Sequence, residues 1–362
     1  MKRPKIVHFL SIKTDEFISI KASITLKSDY SFHNFDLNKI SPKTPIGNVM
    51  LLTSHTFNLK FSGKDSDQKE IYVKNQETDS FGNLYLKIPI NNITTNIEAI
   101  EVFEVGMRDG LDLLLGIFIP LKIPQPKKLV ISDFDKTLLE TRYSNTKEVY
   151  HSLFTPLEKF VTIDSSLVLL KSFINQGFCP FILSASPHFY EENIRDWLYK
   201  KDIFTAGIFL KDYRQVFSPL NGDLRPKDIK LQGLYKLNHL LDILLMTGVP
   251  SELVLMGDNF ESDPIIYLTL TKILKSNLDP WTIWKSIIRE KKLKLTQKQN
   301  FLLLNKIFQL SNQLKKYIKS GNPPIEVKIF IRKRHENDNL TIPEIFSEER
   351  QNVTLYDFQN PL

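Results

Sequence analysis

The sequence is poor in the features that would place it in several common classes. It has one cysteine, Cys179, among 362 residues. That excludes an internal disulfide and fits a reducing compartment. The residue sits in Gly-Phe-Cys-Pro-Phe-Ile-Leu and reads as an inert buried thiol. No stretch approaches the roughly 20 uninterrupted apolar residues of a membrane span. The start, Met-Lys-Arg-Pro-Lys-Ile-Val-His-Phe-Leu, is basic and then briefly apolar, but charges soon interrupt it. It reads as a strand rather than a signal peptide. Internal repeats and low-complexity tracts are missing. Residues 1–122 contain no His/Cys cluster and no glycine-rich phosphate loop. The expectation is a cytoplasmic globular protein.

What is present is ordinary globular composition, 42% hydrophobic and 25% charged, in a length that suggests two or three domains. The formal charge of +7 and a pI near 9.1 favour anionic surfaces or substrates, although such a balance also serves solubility. Residues 1–122 read as a β domain. Ile18-Ser-Ile-Lys-Ala-Ser-Ile-Thr-Leu, Leu84-Tyr-Leu-Lys-Ile-Pro-Ile and Ile100-Glu-Val-Phe-Glu-Val alternate at period two, and turn clusters such as Asp79-Ser-Phe-Gly-Asn separate them. This spacing predicts a small antiparallel sandwich with a supporting or docking role. Thr78-Asp-Ser-Phe-Gly-Asn-Leu-Tyr-Leu resembles the hairpin of transthyretin-like sandwich modules.

Ile119–Pro126, with three prolines, reads as a linker. Strand and helix patterns then alternate over 123–336, as a Rossmann-like parallel α/β domain requires. Strands are predicted at 129–132, Pro180–Leu183, Ala206–Leu210, Leu253–Met256 and from Ile325. Helical patterns lie around Lys147–Phe160, Ser165–Gln176, Glu191–Lys200 and Leu234–Met246. A basic helical block near 277–320 looks inserted before the last strand, and its charge runs read as a solvated helix face. Residues 337–362 read as a polar, loosely attached tail.

Three segments carry chemistry. In Leu129-Val-Ile-Ser-Asp-Phe-Asp-Lys-Thr an apolar strand ends in Asp133 and Asp135, with Thr137 beyond. Acids there stand at the carboxyl edge of a sheet, where open α/β folds bind ligands. One can attack while the other moves a proton, as covalent phosphoryl transfer requires. A helix cap beside an incidental acid is the bland alternative. Phe181-Ile-Leu-Ser-Ala-Ser-Pro ends a second strand in Ser184, whose hydroxyl could donate to a phosphoryl oxygen, or simply cap a helix. Leu253-Val-Leu-Met-Gly-Asp-Asn-Phe-Glu-Ser-Asp-Pro ends a third in Asp258, with Glu261 and Asp263 following. A hard dication such as Mg2+ prefers such oxygens. Asp133, Asp258 and the carbonyl of Asp135 are the predicted ligands, and Asp263 acts through water or orients a neighbour. Clustered carboxylates otherwise repel one another and take up protons. A cation joining nucleophile to phosphate is assigned to Lys236, at the head of an apolar-periodic helix. Lys227, Lys230 and Lys211 compete with it.

Together these segments resemble the haloacid dehalogenase superfamily. More narrowly, Ile131-Ser-Asp-Phe-Asp-Lys-Thr, Ser184-Ala-Ser-Pro, Leu210-Lys-Asp-Tyr, Gly257-Asp-Asn-Phe-Glu-Ser-Asp-Pro-Ile-Ile-Tyr and Val327-Lys-Ile-Phe-Ile-Arg are similar to the catalytic domain of actin-patch-protein type phosphatidate phosphatases. The sequence departs from that pattern at Lys136, in place of an acid, at Phe260, in place of glycine, and at Ile265, in place of glutamate. The resemblance implies a Mg2+-dependent phosphatase with an aspartyl phosphate on Asp133, Asp135 as acid and base, and Ser184 and Lys236 on the transferring group. Little space for a cap between Asp133 and Ser184 suits a lipid phosphate presented at an anionic membrane surface. A soluble or nucleic-acid phosphoester is the alternative substrate, although no aromatic-and-basic interleaving for single strands is present. A non-catalytic scaffold on the same fold is the third reading, disfavoured by the intact Asp133, Asp135 and Asp258.

Overall fold

In a computed structural model, residues 2–28, 55–106, 110–141, 155–187, 190–211, 232–259, 262–276, 278–289, 297–333 and 339–356 are described. The alternating N-terminal segments are strands: β1 (Lys2–Lys13), β2 (Phe17–Ser28), β3 (Asn58–Lys64), β4 (Glu70–Glu77), β5 (Asn83–Pro89), β6 (Ala99–Glu104), β7 (Leu113–Phe118) and the short β8 (Leu121–Lys122). They form two four-stranded sheets, ordered β5-β2-β1-β8 and β4-β3-β6-β7. Pairing is antiparallel except between β1 and β8. Ile18, Ile20 and Ile24 of one sheet pack with Leu59, Phe61 and Val102 of the other, as the period-two pattern requires. The turn at Asp79 is built by its Oδ1, which accepts from the N–H groups of Phe81 and Asn83. Gly82 follows at φ +74°, where a Cβ would lie 2.1 Å from the Ile24 carbonyl oxygen, so only glycine fits.

The alternating segment that follows is β9 (Lys128–Asp133), α1 (Asp164–Asn175), β10 (Cys179–Pro187), α2 (Glu191–Lys200), β11 (Gly207–Lys211), α3 (Gln232–Thr247), β12 (Glu252–Asp258), α4 (Asp263–Lys275), α5 (Pro280–Ile288), α6 (Gln297–Lys319), β13 (Glu326–Arg332) and β14 (Val353–Tyr356). Six strands make one parallel sheet, ordered β11-β10-β9-β12-β13-β14. The chain leaves β9 toward β10 and β11, then returns on the other side with β12. The carboxyl ends of β9 and β12 therefore flank the switch point, where α/β sheets open a crevice. Helices α1 and α2 cover one face with Leu170, Ile194 and Trp197. The other face carries α3 and α4, with α5 and α6 packed outside them. The basic block is thus a third layer between β12 and β13. Burial in the sheet pushes the Cys179 thiol up to about 11, which keeps it unreactive.

Three expectations change. Residues 337–362, read as a loose tail, supply β14, which pairs with β13, and bury Phe346 and Tyr356. Val353-Thr-Leu-Tyr was too short to announce a strand by its own pattern. The helix expected over Lys147–Phe160 lies largely outside the described residues, and its described end is a single 3-10 turn, Leu157–Lys159, behind Pro156. Proline keeps the residue before it out of the helical region. The inner strands β1 and β2 of the first sheet are also covered on both faces. Leu10 and Ile12 join the same core as Phe181, Phe209 and Leu241, and Lys21 reaches Asp242 of α3 at 2.8 Å.

Candidate active site

Strand β9 is buried along Leu129–Asp133 because it lies inside the sheet, with neighbours on both sides. Its ladder continues past the strand end, where Phe134 N–H donates to the Leu183 carbonyl at 2.8 Å. The chain then turns tightly. Lys136 adopts φ +60°, Lys136 N–H donates to the Leu139 carbonyl at 2.8 Å, and Leu138 N–H donates to the Phe134 carbonyl at 2.9 Å. The turn leaves Asp133 and Asp135 both buried, at 0% and 2% exposure. The Thr137 hydroxyl donates to Asp133 Oδ2 at 3.4 Å, which ties the threonine of the motif to the first acid.

On the neighbouring strand, Asp258 closes β12 and is fully buried. Helix α4 starts with Asp263, also fully buried, whose Oδ2 accepts from the Asp258 N–H at 3.4 Å. Gly257 makes this approach possible, since a Cβ there would lie 2.4 Å from Asp263 Oδ2 and 2.8 Å from Tyr267 Cε2. Tyr267 donates to the Met256 carbonyl at 2.9 Å and clamps α4 to β12. Burial first, and the nearby Asp263 second, hold its phenol well above the ordinary tyrosine value, so it stays a neutral donor.

Helix α3 brings Lys236, 1% exposed, into the same place. Its Nζ lies 3.1 Å from Asp133 Oδ1 and is ion-paired with Asp263. Oxygens of Asp133, Asp258 and Asp263 all lie within 4.8 Å of one another. The donor set is entirely carboxylate oxygen, which suits a hard dication such as Mg2+ and not a soft metal. Asp133 and Asp263 both meet Lys236, and Asp258 completes the carboxylate cluster. The third signal, Ser184, is fully buried on β10. Its hydroxyl donates to Asp135 Oδ2 at 2.5 Å and accepts from the Ser186 N–H at 3.0 Å.

The structure thus gathers Asp133, Asp135, Ser184, Lys236, Asp258 and Asp263 from five elements and the turn after β9. Lys211, at the end of β11, has its ammonium 5.7 Å from the centre of the Tyr235 ring. Lys227, Lys230, Glu261 and Phe260 lie outside the described residues, as do 142–154, on which the expectation of little cap chiefly falls. One supporting residue went unnoticed in sequence. Arg332, 3% exposed at the end of β13, donates from Nη1 to the Lys136 carbonyl at 2.6 Å and to Glu140 Oε2 at 3.0 Å. Its own carbonyl accepts from Asn259 N–H at 3.1 Å. It braces both acid-bearing loops. An arginine opening the basic run Arg332-Lys333-Arg334 at the end of an apolar strand was its only signal.

Residues 128–290 match the model of the family described as the phosphatidate phosphatase APP1 catalytic domain, just under half of the chain. The resemblance read from the motifs is borne out by this match, which points to phosphatase chemistry. No curated protein matches the chain. Among solved structures, a chain of the Pnkp1/Rnl/Hen1 RNA repair complex is similar at 19% identity and TM-score 0.25, over 35% of each chain. A calcium binding mutant of Bacteroides uniformis β-glucuronidase 2 is similar at 10% identity and TM-score 0.24, over 91% of this chain and 33% of the other. The chain therefore spans about a third of the length of each of those two structures. Likenesses this weak say nothing about activity.

Proposed function

We propose, with a phosphatidate phosphatase type of catalytic domain as the premise, that this chain is a Mg2+-dependent phosphatase. It hydrolyses a phosphomonoester, phosphatidate to diacylglycerol in the first place, through an aspartyl phosphate on a haloacid dehalogenase-like domain. One observation carries the reading: Asp133 faces a lysine ammonium at 3.1 Å while its carboxylate lies within 4.8 Å of oxygens of Asp258 and Asp263. A nucleophile, a phosphate-neutralising cation and an all-oxygen metal site coincide in one buried group.

Asp133 attacks phosphorus, forming its O–P bond as the ester P–O bond breaks. Asp135, protonated at the start, gives its proton to the departing alcohol oxygen. It then takes a proton from water as that water attacks the phosphoenzyme, which releases phosphate and restores Asp133. Asp133, Asp258 and the Asp135 carbonyl would hold Mg2+, which when bound would supply positive charge to offset that of the phosphate. Lys236 balances charge on the transferring oxygens, and Asp263 holds it in position. Ser184 fixes Asp135 through its hydroxyl bond and can donate to a phosphoryl oxygen from the same place. The test is phosphate release from phosphatidate in detergent micelles by the purified chain, with a panel of soluble phosphoesters alongside. Wild type releases phosphate only with a divalent cation, and Asp133→Asn loses roughly 10^4-fold or more. Release that survives this change rules out Asp133 as the nucleophile. Release from soluble esters alone removes the lipid substrate.

A further inference from the structure

The positive charge of this chain is concentrated in one stretch of its sequence. Residues 281–320 contain ten Lys and Arg and a single acid, Glu290, a net of +9; the whole chain is +7, so everything else sums to −2. The described part of this block is α5 and α6, the outermost layer of the α/β domain. Helix α6 turns Leu303, Ile307, Leu310 and Leu314 toward the core. The opposite stripe, at helical spacing, carries Phe301, Phe308, Lys315 and Lys319. Phe301 is 64% and Phe308 40% exposed. Helix α5 adds Trp281, 50% exposed, with Lys285 one turn on. The two helices are tied together by the Trp284 Nε1 bond to Asn300 Oδ1 at 2.6 Å.

We propose that the outer face of α5 and α6 is a docking surface for anionic lipid bilayers, with its aromatic side chains entering the headgroup region and its lysines on acidic headgroups. Basic residues around exposed aromatic and aliphatic groups are what an interfacial helix presents to such a membrane. The aliphatic members decide against a nucleic acid: Leu302 and Ile318, 48% and 63% exposed, have no ring to stack on a base. No helix among the described residues is long and apolar enough to cross a membrane, so the contact is peripheral. The orientation is suitable. Lys306 bonds Asn238 and Asp242, and Gln313 bonds the Leu245 carbonyl, so α6 runs in the same direction as α3. Phe301 and Leu302 therefore lie at the end of the layer where Lys236 meets Asp133. The inference gives the lipid reading of the site its means of reaching substrate, but vesicle binding does not depend on catalysis.

The test floats the full chain with phosphatidylcholine vesicles, with and without about one quarter phosphatidylserine, a lipid with no phosphomonoester. Binding requires the acidic lipid and weakens with salt. Phe301→Ser with Phe308→Ser, or Lys315→Glu with Lys319→Glu, lowers partition by roughly tenfold or more at an unchanged melting temperature. Both pairs leave turnover of a soluble phosphoester unchanged. Wild-type binding by both double variants overturns the proposal, as does failure of wild type to bind acidic vesicles. Displacement by a single-stranded oligonucleotide with no effect of the phenylalanine pair overturns it in favour of a polyanion site. An Asp133→Asn protein that floats like wild type, in a preparation where wild type hydrolyses no phosphoester, sinks the phosphatase reading and leaves the docking face standing. Hydrolysis of micellar phosphatidate without any vesicle binding does the reverse.

Discussion

Helix α3 carries two buried charges that serve different ends. Lys236 meets Asp133 and Asp263, with Asp258 beside them. Asp242, further along the helix, meets Lys21 of β2 at 2.8 Å and Lys306 of α6 at 2.5 Å. At the second node each charge comes from a different layer, and the carboxylate is outnumbered by cations. It joins the sandwich, the α/β layer and the outer helices. At the first node at least three carboxylates crowd one ammonium, an excess that buried groups tolerate only when a cation or protons relieve it. Buried ion pairs by themselves are weak evidence of function. The sign of the imbalance, and its place at the sheet's switch point, is what separates these two.

Lys236→Met breaks the comparison hardest. It should cut turnover by roughly 10^3-fold. It should also lower the stability of chelator-treated protein by about 3 kcal/mol, because the carboxylates lose their internal cation. Added Mg2+ should restore much of the melting temperature, as a ligand of the native state does. An unchanged melting temperature in chelator would mean the carboxylates are not strained by their charge. Asp242→Ala should also cost about 3 kcal/mol, leaving two lysines without their carboxylate, yet alter turnover per folded molecule by less than about twofold. Lost turnover at full stability would move Asp242 into the site.

A smaller effect follows from His239, beside Asp242. Burial pushes its ring down to about 4, against the pull of the Asp242 carboxylate. Between pH 6.5 and about 4 the unfolded chain therefore binds a proton that the folded chain refuses. Stability should fall as pH drops through that window, by ~3 kcal/mol at most. Burial alone would raise Asp242, but the charges of Lys21 and Lys306, with the His239 ring 3.9 Å away, hold it well below the ordinary range. Its contribution is present above the unfolded value and is lost only at more acid pH. Urea denaturation across pH should show the slope, and His239→Gln should remove it between those limits. A slope that persists in that variant assigns the titration elsewhere.

How much was legible depended on how local the cause was. Asp133 and Asp258 could be read because each ends a continuous apolar run, and buried parallel strands look like that whatever surrounds them. Lys236 could be nominated but not separated from Lys211 by spacing alone. The register of α3 against β9 made the difference. Ser19, Lys21 and Ser23 illustrate the opposite case. Their alternation with isoleucine suggests an outer, solvated face, yet Ser19 and Ser23 are 0% and 6% exposed because α3 covers that side. The basic block shows both outcomes within one helix, since Lys306 is drawn inside to Asp242 while Lys315 and Lys319 stay on the surface.

The amino-acid order alone determined which strands end in acids and that the first part of the chain is β and the rest alternates, because periodicity and strand ends are local properties. It did not determine which acids cluster, which lysine answers them, that Arg332 braces the loop after β9, or that Val353–Tyr356 pair as a sixth strand. Those depend on strand order and helix register, which the packing of the whole chain decides and no short stretch encodes.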